Sequence, residues 1–463
     1  MEYLIRFAQM HETFRLPEVQ ALAALEGIDL EVVRYSLESP ICIVRLSSED
    51  DARHLVRRAI LVQAIFELWG SGATVEELHA SVRSTSSHLW PKYATSSFKF
   101  GLDSFQGTRT NEQRLALIQT FAYLPFAGPV KMRGADHEFA IFEEWPFNSV
   151  PLGIPDPDRY YVGRRVASGA RDLPARLDLK KRRYISTTSM DSELALVTAN
   201  MVLAAPGKLM YDPFAGTGSF PIACAQFGSL VFGSDIDGRS LRGDGADKSL
   251  RGNFDQYGLL GQVGGFFTAD LTNTPIRRSR LGEPGSGGRG RLFDGILCDP
   301  PYGVREGLFV LGVRDAVKNV RVVEVGMEAY KKPNFVPPKK PYSFLAMLDD
   351  ILQFAAETLV DNGRLSFWMP TANDEEQEIA IPTHPYLEMV AVCTQTFNKW
   401  SRRLITYRRI PDENVDPTTL KERAARVPID GGTVDELNPF RQGYFAGFRT
   451  PEAPTPAPID GDI

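Results

Sequence analysis

Apolar and polar positions alternate in two different ways along the chain, and the change falls near residue 179. Before it, short apolar runs and amphipathic segments follow one another in an irregular order, which is typical of α+β folds. The runs "EYLIRFA", "PICIVRL" and "LVQAIFELWG" predict strands, while "LPEVQALAAL", "SEDDARHLVRRAI" and "TVEELHASV" predict helices. Ser48 and Thr74 are suitable caps for the last two helices. We therefore expect an α+β domain over residues 1–80.

A second group of elements follows over residues 81–147. The runs "SFKFGLDSF", "PVKMRG" and "HEFAIFEEW" predict strands, and "NEQRLALIQTFAYL" predicts a helix. Residues 148–178 are rich in Pro, Gly and Arg, a composition typical of connections between domains. The pattern therefore predicts a second small domain followed by a basic linker.

From residue 179 to residue 450 the alternation becomes regular. The strand-like runs are "KLMYD", "SLVFGSD", "GGFFTAD", "LFDGILCD" and "GRLSFWMP", with helical segments between most of them. Uniformly apolar strands with intervening helices indicate a mostly parallel sheet covered on both faces. The runs "LEMVAVCTQTF" and "RRLITYRR" have no comparable helix between them and predict an antiparallel pair at one sheet edge. The Pro-rich tail, residues 451–463, is expected to be disordered.

The composition of the chain indicates the compartment in which the protein is expected. The chain has 463 residues and a net charge of −6, and no apolar run approaches the ~20 residues that span a bilayer. The N-terminus lacks the basic region, apolar core and cleavage site of a signal peptide. Four cysteines are widely scattered, a pattern that favours buried thiols over a disulfide framework or a zinc site. We expect a cytoplasmic protein without a membrane segment or a metal site.

Basic residues are concentrated in two stretches of this acidic chain. Residues 159–183 contain nine basic residues and two acids, and residues 311–342 contain seven basic residues and three acids. A local excess of this kind indicates a confined site for a polyanion. The alternative is that these stretches are solvated loops, in which charged side chains have no energetic cost and no specific partner.

A glycine turn in "KLMYDPFAGTGSFPIACAQFG" lies between a predicted strand and a predicted helix. Gly216 and Gly218 allow the backbone to approach a ligand closely, next to the free N–H groups of a helix N-terminus. Pro221 stands where the dinucleotide fingerprint requires a third glycine, which counts against NAD or FAD. The loop also lacks the lysine that binds a triphosphate.

Three acidic residues follow three successive strands of the predicted sheet. Asp212 ends the first, and Asp235 ends the second where it can accept ribose hydroxyls. Asp270 ends the third, within reach of an adenine amine or a nearby polar group. Each alone is explained equally well as a helix cap. Together they indicate a ligand with an adenosine and a cationic centre, and S-adenosylmethionine is such a ligand.

The fourth strand ends at "DPPYG", with Asp299, Pro300, Pro301 and Tyr302 on a stiff turn. The carboxylate of Asp299 and the carbonyl of Pro300 can accept both hydrogens of an exocyclic amine and turn its lone pair toward a methyl donor. The ring of Tyr302 can stack on a flipped base. The prolines hold these groups before substrate arrives, which lowers the ordering cost of the reaction.

The motifs "DPFAGTGSF", "GSDID" and "ILCDPPYG", in this order, resemble those of class I S-adenosylmethionine methyltransferases that modify exocyclic amines. The segment "RRYISTTSMDSELALVTANMV" resembles the part of that group that holds the methionine end of the cofactor. Residues 1–147 resemble a ferredoxin-like domain followed by a THUMP RNA-binding domain. Together they resemble the family of catalytic subunits of the eukaryotic tRNA guanosine-10 N2-methyltransferase.

The resemblance implies a Rossmann-like class I methyltransferase domain, with a mostly parallel sheet and an antiparallel edge pair, preceded by an α+β ferredoxin-like and THUMP region. It implies methyl transfer from S-adenosylmethionine to N2 of a guanosine in tRNA. The expected catalytic residues are Asp299, Pro300, Pro301 and Tyr302. The expected cofactor residues are Thr188, Asp212, Phe214, Gly216, Gly218, Asp235 and Asp270.

The resemblance also implies two macromolecular partners, tRNA and a small zinc-binding activator protein that forms a heterodimer, with no role for DNA. The expected RNA-binding residues are Arg164, Arg165, Lys180, Lys181, Lys331, Lys332, Lys339 and Lys340. The third strand, "QVGGFFTAD", with Phe266 and Phe267, is the expected activator interface. Alternatives are an N6-adenine or protein-amide methyltransferase, or an RNA-binding scaffold without catalytic activity.

Overall fold

The computed structural model describes residues 1–281, 290–304, 307–312, 338–372, 379–397, 400–416 and 418–419. The chain divides into two compact units. The N-terminal unit consists of residues Met1–Arg182 and Asp191–Leu203, and the C-terminal unit of Arg183–Met190 and Ala204–Ile463.

The N-terminal unit is built around one seven-stranded sheet with the strand order β2-β3-β1-β4-β7-β6-β5. Its strands are β1 (Glu2–Phe7), β2 (Glu31–Arg34), β3 (Ile41–Arg45), β4 (Val62–Gly72), β5 (Phe98–Phe105), β6 (His137–Glu144) and β7 (Arg159–Ser168). Its helices are α1 (Glu12–Glu26), α2 (Glu49–Val56), α3 (Val75–Ser86), α4 (Asn111–Gln119), α5 (Ser149–Leu152), α6 (Leu173–Arg176) and α7 (Ser192–Met201). The ferredoxin-like and THUMP-like halves expected from the sequence therefore share a continuous sheet.

Both predicted helix caps are confirmed. The hydroxyl of Ser48 accepts a hydrogen bond from the backbone N–H of Asp51 at the start of α2. The hydroxyl of Thr74 accepts one from Glu77 at the start of α3. These bonds satisfy backbone donors that have no partner within the helix, so they fix where each helix begins.

The predicted linker contains a strand. Within residues 148–178, β7 lies between β4 and β6 in the middle of the sheet. The three arginines of this strand suggested a solvated segment, but Arg164 pairs with Glu67 and Glu49, and Arg165 pairs with Glu138. Acids from neighbouring elements compensate the charge of the strand, and only the folded sheet brings them together. The linker prediction is therefore wrong for this part of the segment.

Two further expectations differ from the structure. The run "PVKMRG" forms no strand: Val130 makes a single bridge to Phe98, and Val130 and Met132 are exposed, so no buried face supports pairing. Helix α7, expected within the methyltransferase domain that starts at residue 179, belongs by its contacts to the N-terminal unit. There, Asn200 of α7 donates a hydrogen bond to the buried Glu18 of α1.

The C-terminal unit contains a second seven-stranded sheet with the order β10-β9-β8-β11-β14-β16-β15. Its strands are β8 (Leu209–Asp212), β9 (Leu230–Asp235), β10 (Val263–Thr268), β11 (Phe293–Cys298), β14 (Leu359–Ala372), β15 (Leu387–Thr396) and β16 (Trp400–Arg409). A separate small hairpin pairs β12 (Phe309–Leu311) with β13 (Lys339–Pro341). Its helices are α8 (Ser219–Gln226), α9 (Gly238–Arg242), α10 (Leu250–Gln256) and α11 (Phe344–Thr358).

Strands β8 to β11 and β14 run parallel, and β14, β16 and β15 pair in antiparallel fashion. The predicted class I methyltransferase sheet with an antiparallel edge pair is confirmed. Helix α11 begins after Ser343, whose hydroxyl accepts a bond from Ala346, and buries Phe344, Leu348 and Ile351 against the sheet. Because the parallel strands end at one edge of the sheet, the polar residues that follow β8, β9 and β11 converge there.

Candidate cofactor and substrate site

The turn between β8 and α8 has the backbone conformation expected of a ligand-binding glycine loop. Gly216 and Gly218 both have positive φ, 50° and 89°, which other residues adopt at a cost. A Cβ atom on Gly218 would lie 2.2 Å from Cδ1 of Leu250. The positive φ therefore favours glycine at 218, and a larger residue would also have to displace the methyl group of Leu250. The loop leads directly into the N-terminus of α8.

Asp235, at the end of β9, holds this loop in place. Its Oδ2 accepts a hydrogen bond from the N–H of Gly216 at 2.9 Å, and its Oδ1 accepts one from Asp237 at 2.8 Å. Each carboxylate oxygen has a second lone pair, so these bonds orient Asp235 without using up its capacity to accept ribose hydroxyls. Asp235 is partly exposed, as a ligand-binding carboxylate must be.

Asp212, at the end of β8, is only 1% exposed. Burial raises its pKa well above the ordinary value, and the charges of Asp235 and Asp299 raise it further, against the bond from the N–H of Phe214. The neighbouring thiol of Cys298 also has a raised pKa, because of burial and the charges of Asp212 and Asp299. The charges of Asp235 and Asp299 therefore act on Asp212, and a cation bound beside these acids would favour the ionised form of Asp212.

The segment from Arg183 to Met190 lies against the glycine loop. The hydroxyls of Ser189 and Thr217 are 2.8 Å apart, and Ser186 contacts the predicted cofactor residue Thr188, which is exposed. Asn253 of α10, fully buried, donates hydrogen bonds to the carbonyl oxygens of Tyr184 and Thr217. No local pattern predicted a role for Asn253, since its partners lie 69 and 36 positions away in the sequence.

The carboxylate of Asp270 accepts hydrogen bonds from other residues of the chain. Its oxygens accept hydrogen bonds from Thr272 and Asn273 in its own turn and, at 2.6 Å, from the N–H of Leu311 in β12. Burial opposes ionisation, but these bonds lower the pKa of Asp270. The carboxylate therefore anchors the β12–β13 hairpin, and its contact with an adenine stays a prediction.

The four residues after β11 form a compact polar turn. The hydroxyl of Tyr302 donates a hydrogen bond to Oδ1 of Asp299. Burial and the charge of Asp299 raise the pKa of Tyr302 well above its ordinary value, so the phenol stays protonated and remains a donor. Pro300 is buried and Asp299 is partly exposed. An acceptor and an aromatic ring thus lie at the same strand edge as the glycine loop.

Aromatic and basic residues from the β15–β16 hairpin contact this turn. The ring of Trp400 lies edge-on to that of Tyr302, with centroids 6.4 Å apart. Nη1 of Arg402 is 3.8 Å from Oδ2 of Asp299. Neither residue was predicted: Arg402 begins the run "RRLITYRR", which predicted only an edge strand, and Trp400 lies outside both runs of the predicted edge pair.

The described residues fit an adenosyl ligand with a positive centre. The loop offers backbone N–H groups and close approach, Asp235 offers acceptors for hydroxyls, and Asp212 is a buried carboxyl whose ionised form a bound cation would stabilise. Phe214 packs partly against the core of the sheet beside the loop. The acceptor at Asp299 then suits a substrate that donates hydrogen bonds, such as an amine.

The predicted RNA-binding residues differ in accessibility. The structure contradicts the prediction for Arg164, which is 4% exposed and bound to two carboxylates, because a phosphate could reach it only by displacing both. Arg165 is partly exposed but paired with Glu138. Lys180 and Lys181 are exposed, and Nζ of Lys181 donates to the carbonyl of Ala175.

In the C-terminal unit, Lys339 and Lys340 lie on β13, and Lys340 is exposed. Lys339 helps to lower the pKa of Asp237, so its ammonium group faces the rim near β9. Lys331 and Lys332 lie outside the described residues. Phosphate contacts by Lys180, Lys181, Lys339 and Lys340 stay a prediction.

The described ranges contain no helix of sufficient length and apolarity to cross a membrane. They also contain no cluster of His, Cys, Asp and Glu side chains arranged to bind a metal ion.

A family model described as "Tmrp11 THUMP N-terminal domain" matches residues 1–171. This range corresponds closely to the N-terminal unit as far as β7 and includes the strand in the predicted linker. Among solved structures, TrmN from Thermus thermophilus aligns over 89% of this chain and 100% of its own, at 16% identity and a TM-score of 0.41. That likeness is too low to support a conclusion about this chain.

Curated relatives match over nearly the whole length. The chain is 41% identical over 412 residues to the tRNA (guanine(10)-N(2))-methyltransferase of Saccharomyces cerevisiae, covering 88% of this chain and 92% of that protein. It is 34% identical over 490 residues to the enzyme of the same name from Schizosaccharomyces pombe, covering 98% of both. It is 34% identical over 464 residues to human tRNA (guanine(10)-N(2))-methyltransferase TRMT11, covering 96% of this chain and 95% of that protein.

Proposed function

The chain belongs to the tRNA (guanine(10)-N(2))-methyltransferase family, and we propose that it transfers a methyl group from S-adenosylmethionine to N2 of guanosine 10 in tRNA. The observation that carries this proposal is the position of Asp299. It stands at the same sheet edge as the glycine loop, and its charge acts on Asp212 below that loop. An amine bound at Asp299 would therefore lie next to a ligand held by the loop.

The residues of the chain then have separate roles. Asp299 and the carbonyl of Pro300 accept the two amine hydrogens, which directs the nitrogen lone pair toward the cofactor site. Tyr302 stacks on the flipped base, while its hydroxyl fixes the orientation of Asp299. As the N–C bond forms the amine proton becomes acidic, and Asp299 accepts it or passes it to water.

S-adenosylmethionine, when bound, supplies an electrophilic methyl group on a sulfonium. The residues that would hold it are the backbone of Gly216 and Gly218, Asp235 for the ribose, and the segment around Thr188 for the methionine end. The negative potential around Asp212 would favour its positive charge.

The test compares two tRNA substrates that differ by one amine. Guanosine 10 is replaced by inosine, which lacks N2 and keeps the other groups of the base. With labelled S-adenosylmethionine, we expect methyl transfer to the guanosine tRNA and none to the inosine tRNA. Equal labelling of both would refute N2 of guanosine 10 as the acceptor, and labelling of adenosine would favour the N6-adenine alternative.

We further propose that the N-terminal unit binds the tRNA, because its residues 1–171 match a THUMP family model. The exposed side chains of Lys180 and Lys181 would add phosphate contacts. Replacement of both by alanine should weaken tRNA binding and reduce the dependence of the affinity on salt concentration. An unchanged salt dependence would show that Lys180 and Lys181 make no phosphate contacts and lie in a solvated loop.

We also propose a heterodimer with the small zinc-binding activator. Strand β10 is one edge of the sheet in the C-terminal unit, and Gly264 and Thr268 on it are exposed. The rings of Phe266 and Phe267 pack against Phe254 and Tyr211, so the unpaired backbone of β10 is the expected contact rather than these rings.

Hydrogen exchange tests this partner directly. Amides of residues 263–268 should exchange more slowly after the activator is added. The reason is that the outward-facing backbone N–H groups of β10 would donate hydrogen bonds to the carbonyl groups of an added strand. The matched control is β15, the edge strand at the opposite end of the same sheet. Protection of β15 alone, or full activity of the lone chain, would contradict the proposal. We also propose a cytoplasmic location, because the four cysteines of the chain are buried thiols outside any disulfide, as is usual in a reducing compartment.

A further inference from the structure

Arg402 reaches the proposed catalytic turn from the antiparallel edge of the sheet. On β16 it pairs with Pro370 of β14, and β14 lies beside β11, which ends just before Asp299. Nη1 of Arg402 is 3.8 Å from Oδ2 of Asp299, and both side chains are mostly buried. The contact joins residues 103 positions apart and depends on the register of two strand pairs.

Neighbouring residues hold the guanidinium in this position. Its Nε donates a hydrogen bond to Oε1 of Gln395 at 2.6 Å. The group lies 4.6 Å from the ring centroid of the buried Trp368 and 5.7 Å from that of Phe397. A planar guanidinium stacks well on such rings, so its orientation is set before substrate arrives.

Acidic groups lie near Asp299, so the contact with Arg402 affects the ionisation of Asp299. Asp299 lies close enough to Asp212 for its charge to help raise the pKa of Asp212, and the charge of Asp235 acts in the same direction. Burial raises the pKa of Cys298 and that of Tyr302, so both stay neutral, although Arg402 also forms a hydrogen bond with Tyr302 and lowers the pKa of Tyr302. The positive charge of Arg402 opposes this field at Asp299. When Asp299 is ionised, both of its oxygens can accept an amine hydrogen. When it is protonated, one oxygen carries a proton and becomes a donor.

Resting on the function proposed above, we propose that Arg402 is a positioning residue for the methylation of the amine. It keeps Asp299 ionised and fixes Oδ2, while Tyr302 fixes Oδ1. Arg402 thus acts through Asp299, and its charge should matter more than its packing. That distinction separates this role from a purely structural one.

The experiment measures single-turnover methyl transfer at saturating tRNA and cofactor, from about pH 5 to about pH 9. It compares wild type with Arg402→Met, which keeps the stem and loses the charge, and Arg402→Lys, which keeps the charge. We expect the acid limb of the pH–rate profile, where the rate falls as the carboxylate is protonated, to move to higher pH by about 1 unit in Arg402→Met. This is the size of the pKa shift that a nearby opposite charge causes. Arg402→Lys should retain the wild-type limb at a lower rate.

Two controls keep the interpretation unambiguous. Cofactor affinity, measured by calorimetry, should be unchanged in both variants, and Arg402→Gln provides a second charge-free variant should Arg402→Met fold poorly. In an Asp299→Asn background, which has no carboxyl group at 299, Arg402→Met should cause no further shift of the limb. A further shift in that background would show that Arg402 acts on another group and would overturn the inference.

The inference is also overturned when Arg402→Met and Arg402→Gln lose rate without any shift of the acid limb, or when Lys and Met variants behave alike. Both outcomes would assign Arg402 to packing alone. Failure of the proposed function looks different: wild type would not methylate tRNA, or Asp299→Ala would react at the wild-type rate.

Discussion

The hydroxyl of Tyr302 donates a hydrogen bond to the carboxylate of Asp299, three positions before it. The sequence predicted a stacking role for the ring of Tyr302 and no role for its hydroxyl. The bond means that the aromatic ring and the acceptor are oriented by each other before a base arrives, at one rigid turn closed by Pro300 and Pro301.

This relationship predicts graded effects at position 302. Tyr302→Phe keeps the ring and loses a hydrogen bond to a charged group, so single-turnover methyl transfer should fall about tenfold. Tyr302→Ala also loses the stacking surface and should fall by a further factor of ten or more. A Phe variant at the wild-type rate would show that the hydroxyl bond is irrelevant, and equal losses for Phe and Ala would remove the stacking role.

Asp235 should determine cofactor affinity. Asp235→Ala loses the carboxylate that positions Gly216 and accepts ribose hydroxyls, so calorimetry should show binding of S-adenosylmethionine weakened by about 1.5–3 kcal/mol. The control is Asp237→Ala two positions away, whose carboxylate bonds to Arg239. It should bind the cofactor with near wild-type affinity. Equal losses in both variants would contradict a specific role for Asp235.

Asp212 should make cofactor binding dependent on pH. Because its pKa is raised, the carboxyl is protonated at pH values where an ordinary aspartate is ionised. A cationic ligand favours the ionised form, so affinity for S-adenosylmethionine should increase as pH rises through this titration. S-adenosylhomocysteine, which lacks the sulfonium charge, should show a weaker dependence, measured by calorimetry from about pH 5 to about pH 9.

The variant Asp212→Asn provides the control for that effect. It is nearly isosteric and cannot ionise, so the difference between the two ligands in pH dependence should disappear. An Asn variant that retains the wild-type difference would assign the titration to another group.

Arg164 and Arg165 are adjacent on β7 but should have different effects on stability. Arg164→Met leaves the buried Glu67 without its cationic partner, with the bond from the indole of Trp69 remaining, and should lower the free energy of unfolding by about 3 kcal/mol in chemical denaturation. Arg165→Met breaks an exposed pair with Glu138 and should cost less than about 1 kcal/mol. Equal effects of the two substitutions would contradict the assignment of Arg164 to the core of the N-terminal unit.

The sequence predicted the parts of the fold that local patterns determine. The order of strands and helices, both caps, the glycine loop and the antiparallel edge pair depend on periodicity and turn residues within short windows. The placement of β7 and the contact between Arg402 and Asp299 do not. Both require acids and bases more than 90 positions apart to meet through strand register, and no local pattern encodes that register.

Asp270 illustrates the same limit in a single residue. Its place at the end of β10 followed from the pattern, but its bond to the N–H of Leu311 did not, because the β12–β13 hairpin gave no signal. A strand-end carboxylate can bind a ligand or another segment of its own chain. The sequence alone could not distinguish the two.

The measurement that tests the account most directly is single-turnover methyl transfer by Asp299→Ala to saturating tRNA, with cofactor affinity measured on the same preparation. We expect near wild-type affinity for S-adenosylmethionine and a rate reduced by about 10² or more, the scale for a positioned acceptor in the transition state. Asp299→Asn keeps one acceptor oxygen and should lie between Ala and wild type. An Asp299→Ala protein that reacts at the wild-type rate would contradict the central claim that Asp299 presents the amine to the methyl donor.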